Sequence, residues 1–154
     1  MSGAGFPDIE ALVPHRGRMR LLSGVLAHSI EETVCAVDLE RSELFAEADG
    51  AVPAFVALEY MAQCAAVHAG LAGRAGQRTA RAAFLLGTRR LRLGAARFRP
   101  DQRLRVSARH HRGESGLIVF DCALRDADSG ETLAEGRLNL YTVGDESSTG
   151  GTPA

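Results

Sequence analysis

At 154 residues, with 45% hydrophobic and 24% charged side chains, the chain has the size and mix of one globular domain, which excludes a disordered or fibrous protein and argues against a second domain. The formal charge of -1 excludes a uniformly acidic or basic protein but conceals a division. Residues 74–112 carry 12 Arg and the single acid Asp101, while 1–73 carry 4 Arg and 10 acids and 113–154 carry 2 Arg and 8 acids. Such a cationic middle third points either to an anionic partner or to the outward positions of solvated strands.

In chain order, Asp8 followed by Ile9, Leu12 and Val13 predicts a short helix ended by Pro14. Residues 19–26 and 33–39 predict two strands able to pair, and 41–52 a loop with Asp49-Gly50 as its turn. Pro53 suits the first turn of a helix running to about Leu71, apolar round nearly its whole circumference and therefore wrapped by protein. A membrane span is the competing reading, but Glu59, Gln63 and His68 interrupt it and its alanines are weakly hydrophobic. Beyond the Gly-rich joint at 71–76, strands are predicted at 83–93, 102–111, 116–125 and 132–143, with Ile118, Phe120, Cys122 and Leu124 on one apolar face. Residues 112–115 and 126–130 read as hairpin turns. One buried helix and five or six antiparallel strands form an α+β domain in which the sheet curls round the helix. Its uncovered edges favour self-association. The domain is assigned to residues 1–143, and the low-complexity end, 144–154, to a disordered tail.

Cys35, Cys64 and Cys122 are odd in number, far apart and set among apolar neighbours, with no metal or redox spacing. The first residues lack a basic region followed by an apolar one, so a reducing cytoplasm is expected.

Glu59 is the most informative residue, since a carboxylate in an apolar helix must be paired, hydrogen-bonded or protonated. A structural ion pair with an Arg competes with a chemical role. Gln63, one turn on, can hydrogen-bond Glu59 or a ligand beside it. His68 lies about 180° round the helix from Glu59, which makes it a core or surface histidine outside that site. His15 sits in a turn before an apolar strand, either at a cleft edge or as a packing residue. His110 and His111 face opposite ways on a strand and make a poor metal site; His28 is unremarkable. No phosphate loop, nucleophile elbow or Ser/His/Asp motif is visible.

Residues 52–63, Val-Pro-Ala-Phe-Val-Ala-Leu-Glu-Tyr-Met-Ala-Gln, resemble the central-helix motif of FabZ-type 3-hydroxyacyl-[acyl-carrier-protein] dehydratases of the hot-dog fold. Residues 12–22, containing Leu-Val-Pro-His-Arg, are similar to the opening of that family. Residues 84–90 and 99–104 are similar to its Gly-x-basic strand and Pro-Gly-Asp-Gln-Leu turn. The helix motif is the most specific, and Val-Pro-Ala with Glu-Tyr-Met-Ala-Gln is closer still to the dehydratase-like proteins of aryl-polyene pigment clusters.

The resemblance implies one hot-dog domain, a long central helix wrapped by a curved antiparallel sheet, dimerised with itself or with a related subunit so that active sites are shared. Glu59 matches the catalytic acid. Where the family has a histidine fourteen residues earlier, this chain has Phe45 followed by Ala46-Glu47. Either His15 has taken the base role or dehydratase chemistry is lost. The implied reaction eliminates water from a 3-hydroxyacyl thioester, with a histidine taking the C2 proton and Glu59, kept protonated by burial, giving one to the hydroxyl. Substrate contacts fall to Gln63, Phe45 and the N–H groups of Ala54 and Phe55, which would stabilise the thioester oxygen by roughly 3 kcal/mol. No metal or cofactor is required. The acidic acyl carrier protein is the partner for Arg89, Arg90, Arg97 and Arg99; nucleic acid is disfavoured because only Phe84 and Phe98 in the cationic stretch could stack on bases. Two alternatives stand beside this reading: a non-catalytic hot-dog subunit that binds acyl chains or completes a heterodimer, and a thioesterase in which Glu59 activates water.

Overall fold

A computed structural model describes residues 5–13, 19–74, 82–112 and 117–143. The predicted turn at 112–115 and the tail at 144–154 lie largely or wholly outside these. A single turn, α1 (Ile9–Leu12), buries Ile9 and Leu12 and closes through the Val13 N–H on the Ile9 carbonyl, directly ahead of Pro14 in the sequence. Strands β1 (Leu22–His28) and β2 (Glu32–Val37) then pair antiparallel.

The stretch predicted as loop contains a 3-10 segment, Leu39–Phe45. The Asp38 carboxylate caps it by accepting the Glu40 N–H at 3.0 Å. Ser42 pins it to the core, its hydroxyl 2.6 Å from that of Tyr60, with both side chains fully buried. No hydrophobic period announces this segment, because a polar contact made far along the chain holds it. The Asp49-Gly50 turn forms as predicted, with Gly50 at φ +86.

Pro53 departs from its predicted place. Strand β3 (Val52–Pro53) pairs with β5 (Arg97–Phe98), and a 3-10 turn over Ala54–Val56 precedes the long helix α2 (Ala57–Arg74). With φ -58 and ψ 141, Pro53 is extended, a conformation its ring permits as readily as a helix start.

Strands β4 (Ala82–Leu93), β6 (Leu104–Arg112), β7 (Leu117–Asp126) and β8 (Thr132–Val143) complete a six-stranded antiparallel sheet in the order β1-β2-β6-β7-β8-β4. Helix α2 packs chiefly over β6 and β2. Its Tyr60, Met61, Cys64 and Val67 are fully buried and meet Val25, Cys35, Val106 and Leu124 in one core. The predicted face of β7 points inward, with Phe120, Cys122 and Leu124 buried and Ile118 packed against them. The architecture is the hot-dog arrangement. Residues Ala54–Gly73 are long and apolar enough to cross a membrane, but most of that window is buried in the fold, which accounts for its hydrophobicity.

Where α1 crosses α2, only glycine fits: a Cβ on Gly70 would stand 2.6 Å from the Leu12 carbonyl oxygen. Alanine is the better helix former by about 1 kcal/mol, yet the clash is with backbone. Gly70→Ala is therefore expected to lower unfolding free energy by about 1–3 kcal/mol in a denaturant titration. Unchanged stability would show that α1 can lift away without loss.

Candidate functional site

Because the α-helix begins at Ala57, Glu59 falls in its first turn and not mid-helix. The side chain is half-buried, where the sequence predicted enclosure. Phe55, one turn earlier, is 64% exposed, so this end of the helix is not covered by the chain's own sheet.

Gln63 is fully buried and fixes the surroundings of Glu59. Its Nε2 donates to Glu59 Oε1 at 3.1 Å and to the Met19 carbonyl at 2.6 Å, while its Oε1 accepts the Leu21 N–H at 3.0 Å. Only this orientation of the amide serves both main-chain groups, since the N–H of Leu21 needs an oxygen and the carbonyl of Met19 a donor. Both amide protons are committed, so Gln63 acts on the carboxyl and the chain, not on a ligand. Gln63→Leu would bury the Leu21 N–H and the Met19 carbonyl unpaired. The expected loss is about 1–3 kcal/mol for each group left unpaired, measured by chemical denaturation. A loss below 0.5 kcal/mol would mean that water replaces the amide.

His15 lies outside the described residues. Met19, four residues further on, is within them and joined to Glu59 through Gln63. Phe45 ends the 3-10 segment and packs half-buried against the core. The Ala54 N–H donates to the Ala96 carbonyl at 3.0 Å, continuing the β3–β5 pairing, and so is not open to a thioester oxygen as predicted. Phe55 lines a cavity of about 450 Å³ with Pro53, Leu93 and Ala96. A second, of about 370 Å³, lies beside Arg105; Glu59 lines neither.

Three other histidines, His28, His68 and His110, assemble elsewhere. His68 is nine residues beyond Glu59, about 13 Å along the helix and half a turn round it. Its Nδ1 lies 2.8 Å from the Thr33 hydroxyl, which lies 2.7 Å from His28 Nδ1. The His110 ring stacks on His68 at 5.7 Å, and Phe120 meets it edge-on. Burial, with His28 and His110 adding, pushes the His68 ring down to about 4. The sequence hid this cluster because it joins β1, β2, β6 and α2. His111, on the opposite face, sits 2.6 Å from Asp121, which Arg137 also holds. Among the described residues, no group of three or more His, Cys, Asp or Glu is arranged to hold a metal. The thiols of Cys35 and Cys64 lie 3.8 Å apart in the core, and burial raises that of Cys64 well above its ordinary range.

Of the four predicted docking arginines, Arg89 and Arg90 are exposed on β4. Arg97 pairs with Glu47 and Asp49, and Arg99 with Asp101. Half of the predicted docking set is thus already neutralised, Arg97 by acids distant in sequence and Arg99 by its near neighbour.

The profile of the ApeP-like family, described as ApeP dehydratase, matches residues 7–149. No curated protein sequence matches the chain significantly. Among solved structures, it is similar to a chain of the dehydratase heterocomplex ApeI:P from Xenorhabdus doucetiae, 25% identical over 92% of this chain and 94% of that one, with a TM-score of 0.80. A Helicobacter felis homologue of HP0420 is 14% identical over 91% and 92% of the two chains, at a TM-score of 0.65. Zebra fish thioesterase superfamily member 2 is 12% identical over 87% and 92%, also at 0.65. These last two share the fold.

Proposed function

Since the chain belongs to the ApeP-like dehydratase family, we propose that it removes water from a 3-hydroxyacyl thioester on an acyl carrier protein during polyene biosynthesis, paired with a related hot-dog subunit. The observation that carries this reading is Glu59, displayed at the start of α2 and held by Gln63. A base takes the C2 proton, its electron pair becomes the C2–C3 double bond, and the C3–O bond breaks as Glu59 delivers a proton to the hydroxyl, which leaves as water. The base ends protonated and Glu59 ionised; proton exchange with solvent resets both. Each positioned group contributes about 10²–10⁴-fold.

His15 is our candidate base. A partner subunit resting on the exposed flank at Phe55 would finish the desolvation of Glu59 that this chain leaves half done. The heterocomplex seen for the ApeI:P relative supports such a pairing. Three free, buried thiols suit the reducing cytoplasm in which we place it.

Phe45 favours a second reading. It fills a core position where the dehydratases that this sequence resembles carry their histidine, as expected of a subunit that binds substrate for an active partner. Incubation with a 3-hydroxyacyl carrier protein, alone and with a related hot-dog subunit, separates the readings. Enoyl product from the chain alone supports catalysis by its own residues, and product only with the partner supports a shared or binding role. Free acid would instead mean hydrolysis, and no product in either mixture would end the dehydratase reading.

A further inference from the structure

Arg105 and Arg125 are direct cross-strand partners on β6 and β7, both exposed. Their neighbours Leu104, Val106 and Leu124 point into the core, so the two guanidinium groups share the outer face of the sheet. Around them, Arg103 is paired with Asp128, Arg109 with Glu31 and Arg137 with Asp121. Among the described residues, no carboxylate forms an ion pair with Arg105 or Arg125. Like charges directly opposite one another on a sheet are destabilising. Among the described residues no ion pair offsets the repulsion; an external anion would.

The pair also stands at a telling place. Leu104, beside Arg105, is in register with Val37, and Val37 with Leu22. Leu21, the preceding residue, is bound by Gln63, which holds Glu59. Strands β6 and β1 are two spacings apart, roughly 10 Å. The pair therefore marks the same end of the sheet as the candidate acid, on its other face. The groove of about 370 Å³ beside Arg105 is lined by Leu26, Ala36 and Gln102; of its acids, Asp38 is paired with Arg41 and Asp101 with Arg99, while Glu40 is exposed.

We infer that Arg105 and Arg125 form the docking point for an acidic carrier protein bearing a phosphate diester. This rests on the dehydratase reading and moves the docking surface from Arg89, Arg90, Arg97 and Arg99 to Arg105 and Arg125 on the outer face of the sheet. Two planar forks side by side match the geometry of phosphate oxygens. Phe98 is fully buried and gives a nucleic acid no stacking surface.

The test is binding of an unacylated, phosphopantetheine-bearing carrier at low ionic strength. Arg105→Gln with Arg125→Gln keeps polar, exposed side chains and is expected to weaken Kd by roughly tenfold and to flatten its salt dependence. Arg97→Gln with Arg99→Gln is expected to change Kd by less than about twofold. The inference is overturned if the two double variants behave alike or in reverse order. It is also overturned if free coenzyme A or a single-stranded oligonucleotide competes as well as the carrier does. Binding of an unacylated carrier needs no chemistry, so a failure to dehydrate would leave this measurement readable.

Discussion

Replacing Glu59 by Gln is expected to lower enoyl thioester formation by about 10²–10⁴-fold, with stability changed by less than about 1 kcal/mol. The substitution is close to isosteric. A glutamine oxygen can still accept the Gln63 N–H that now reaches Glu59 Oε1, so the tie from α2 to Met19 and Leu21 survives. What disappears is the proton that the departing hydroxyl needs. The measurement is product formation from a 3-hydroxyacyl carrier protein in whichever subunit mixture proves active, beside a denaturation curve. An undiminished rate would remove Glu59 from the chemistry. A stability loss of several kcal/mol would show that its charge serves the fold instead.

Acidification is expected to cost the protein about 3 kcal/mol of stability between pH 7 and pH 4 through His68. In the folded state the ring is held to about 4, against an ordinary 6.5, by burial and then by His28 and His110. Above 6.5 the ring is neutral in folded and unfolded chains alike, and stability is at its full value. As pH falls from 6.5 towards 4, the unfolded chain takes up a proton that the folded one resists, so unfolding is favoured. Each pH unit between the two values is worth about 1.4 kcal/mol.

The groups facing the ring are His28 on β1, Thr33 on β2, His110 on β6 and Phe120 on β7, with the Glu31–Arg109 ion pair near this end of the sheet. His28 is itself lowered by burial and acts in the same direction. Asp49, Asp121 and Asp126 are also lowered, first by their backbone or Arg137 hydrogen bonds. As acids they hold their contribution above 3.8 and lose it only as pH falls further, outside this window. His68→Asn keeps an acceptor near the place of Nδ1 for the Thr33 hydroxyl and should flatten the curve between pH 7 and pH 4. Denaturant titrations across that range give the answer, and a variant as pH-sensitive as the parent would clear His68.

Periodicity made the skeleton legible. A helix apolar on all sides has to be wrapped, and strands alternating in polarity supply the wrap; the predicted helix at 53–71 is met by α2 at Ala57–Arg74, and the inward face of β7 follows from residues 118–124. The candidate acid was legible for a related reason, because a carboxylate amid alanines and aliphatics breaks the pattern. Sequence placed it in mid-helix, however, since Pro53 permits a helix start and a strand bridge equally well. Pairing of Val52 and Pro53 with Phe98 and Arg97 decided between them.

The sequence by itself determined an α+β architecture, its buried helix and the singular position of Glu59, since these depend on spacing along the chain. Tertiary structure alone decided that Gln63 spends both amide protons on Glu59 and Met19 and that His68 meets His28 across Thr33 and His110 ring to ring. It alone left Arg105 and Arg125 facing one another with no carboxylate paired to either among the described residues. Each of these joins residues from separate elements, and such encounters are fixed by strand register and helix packing, quantities that no local pattern encodes.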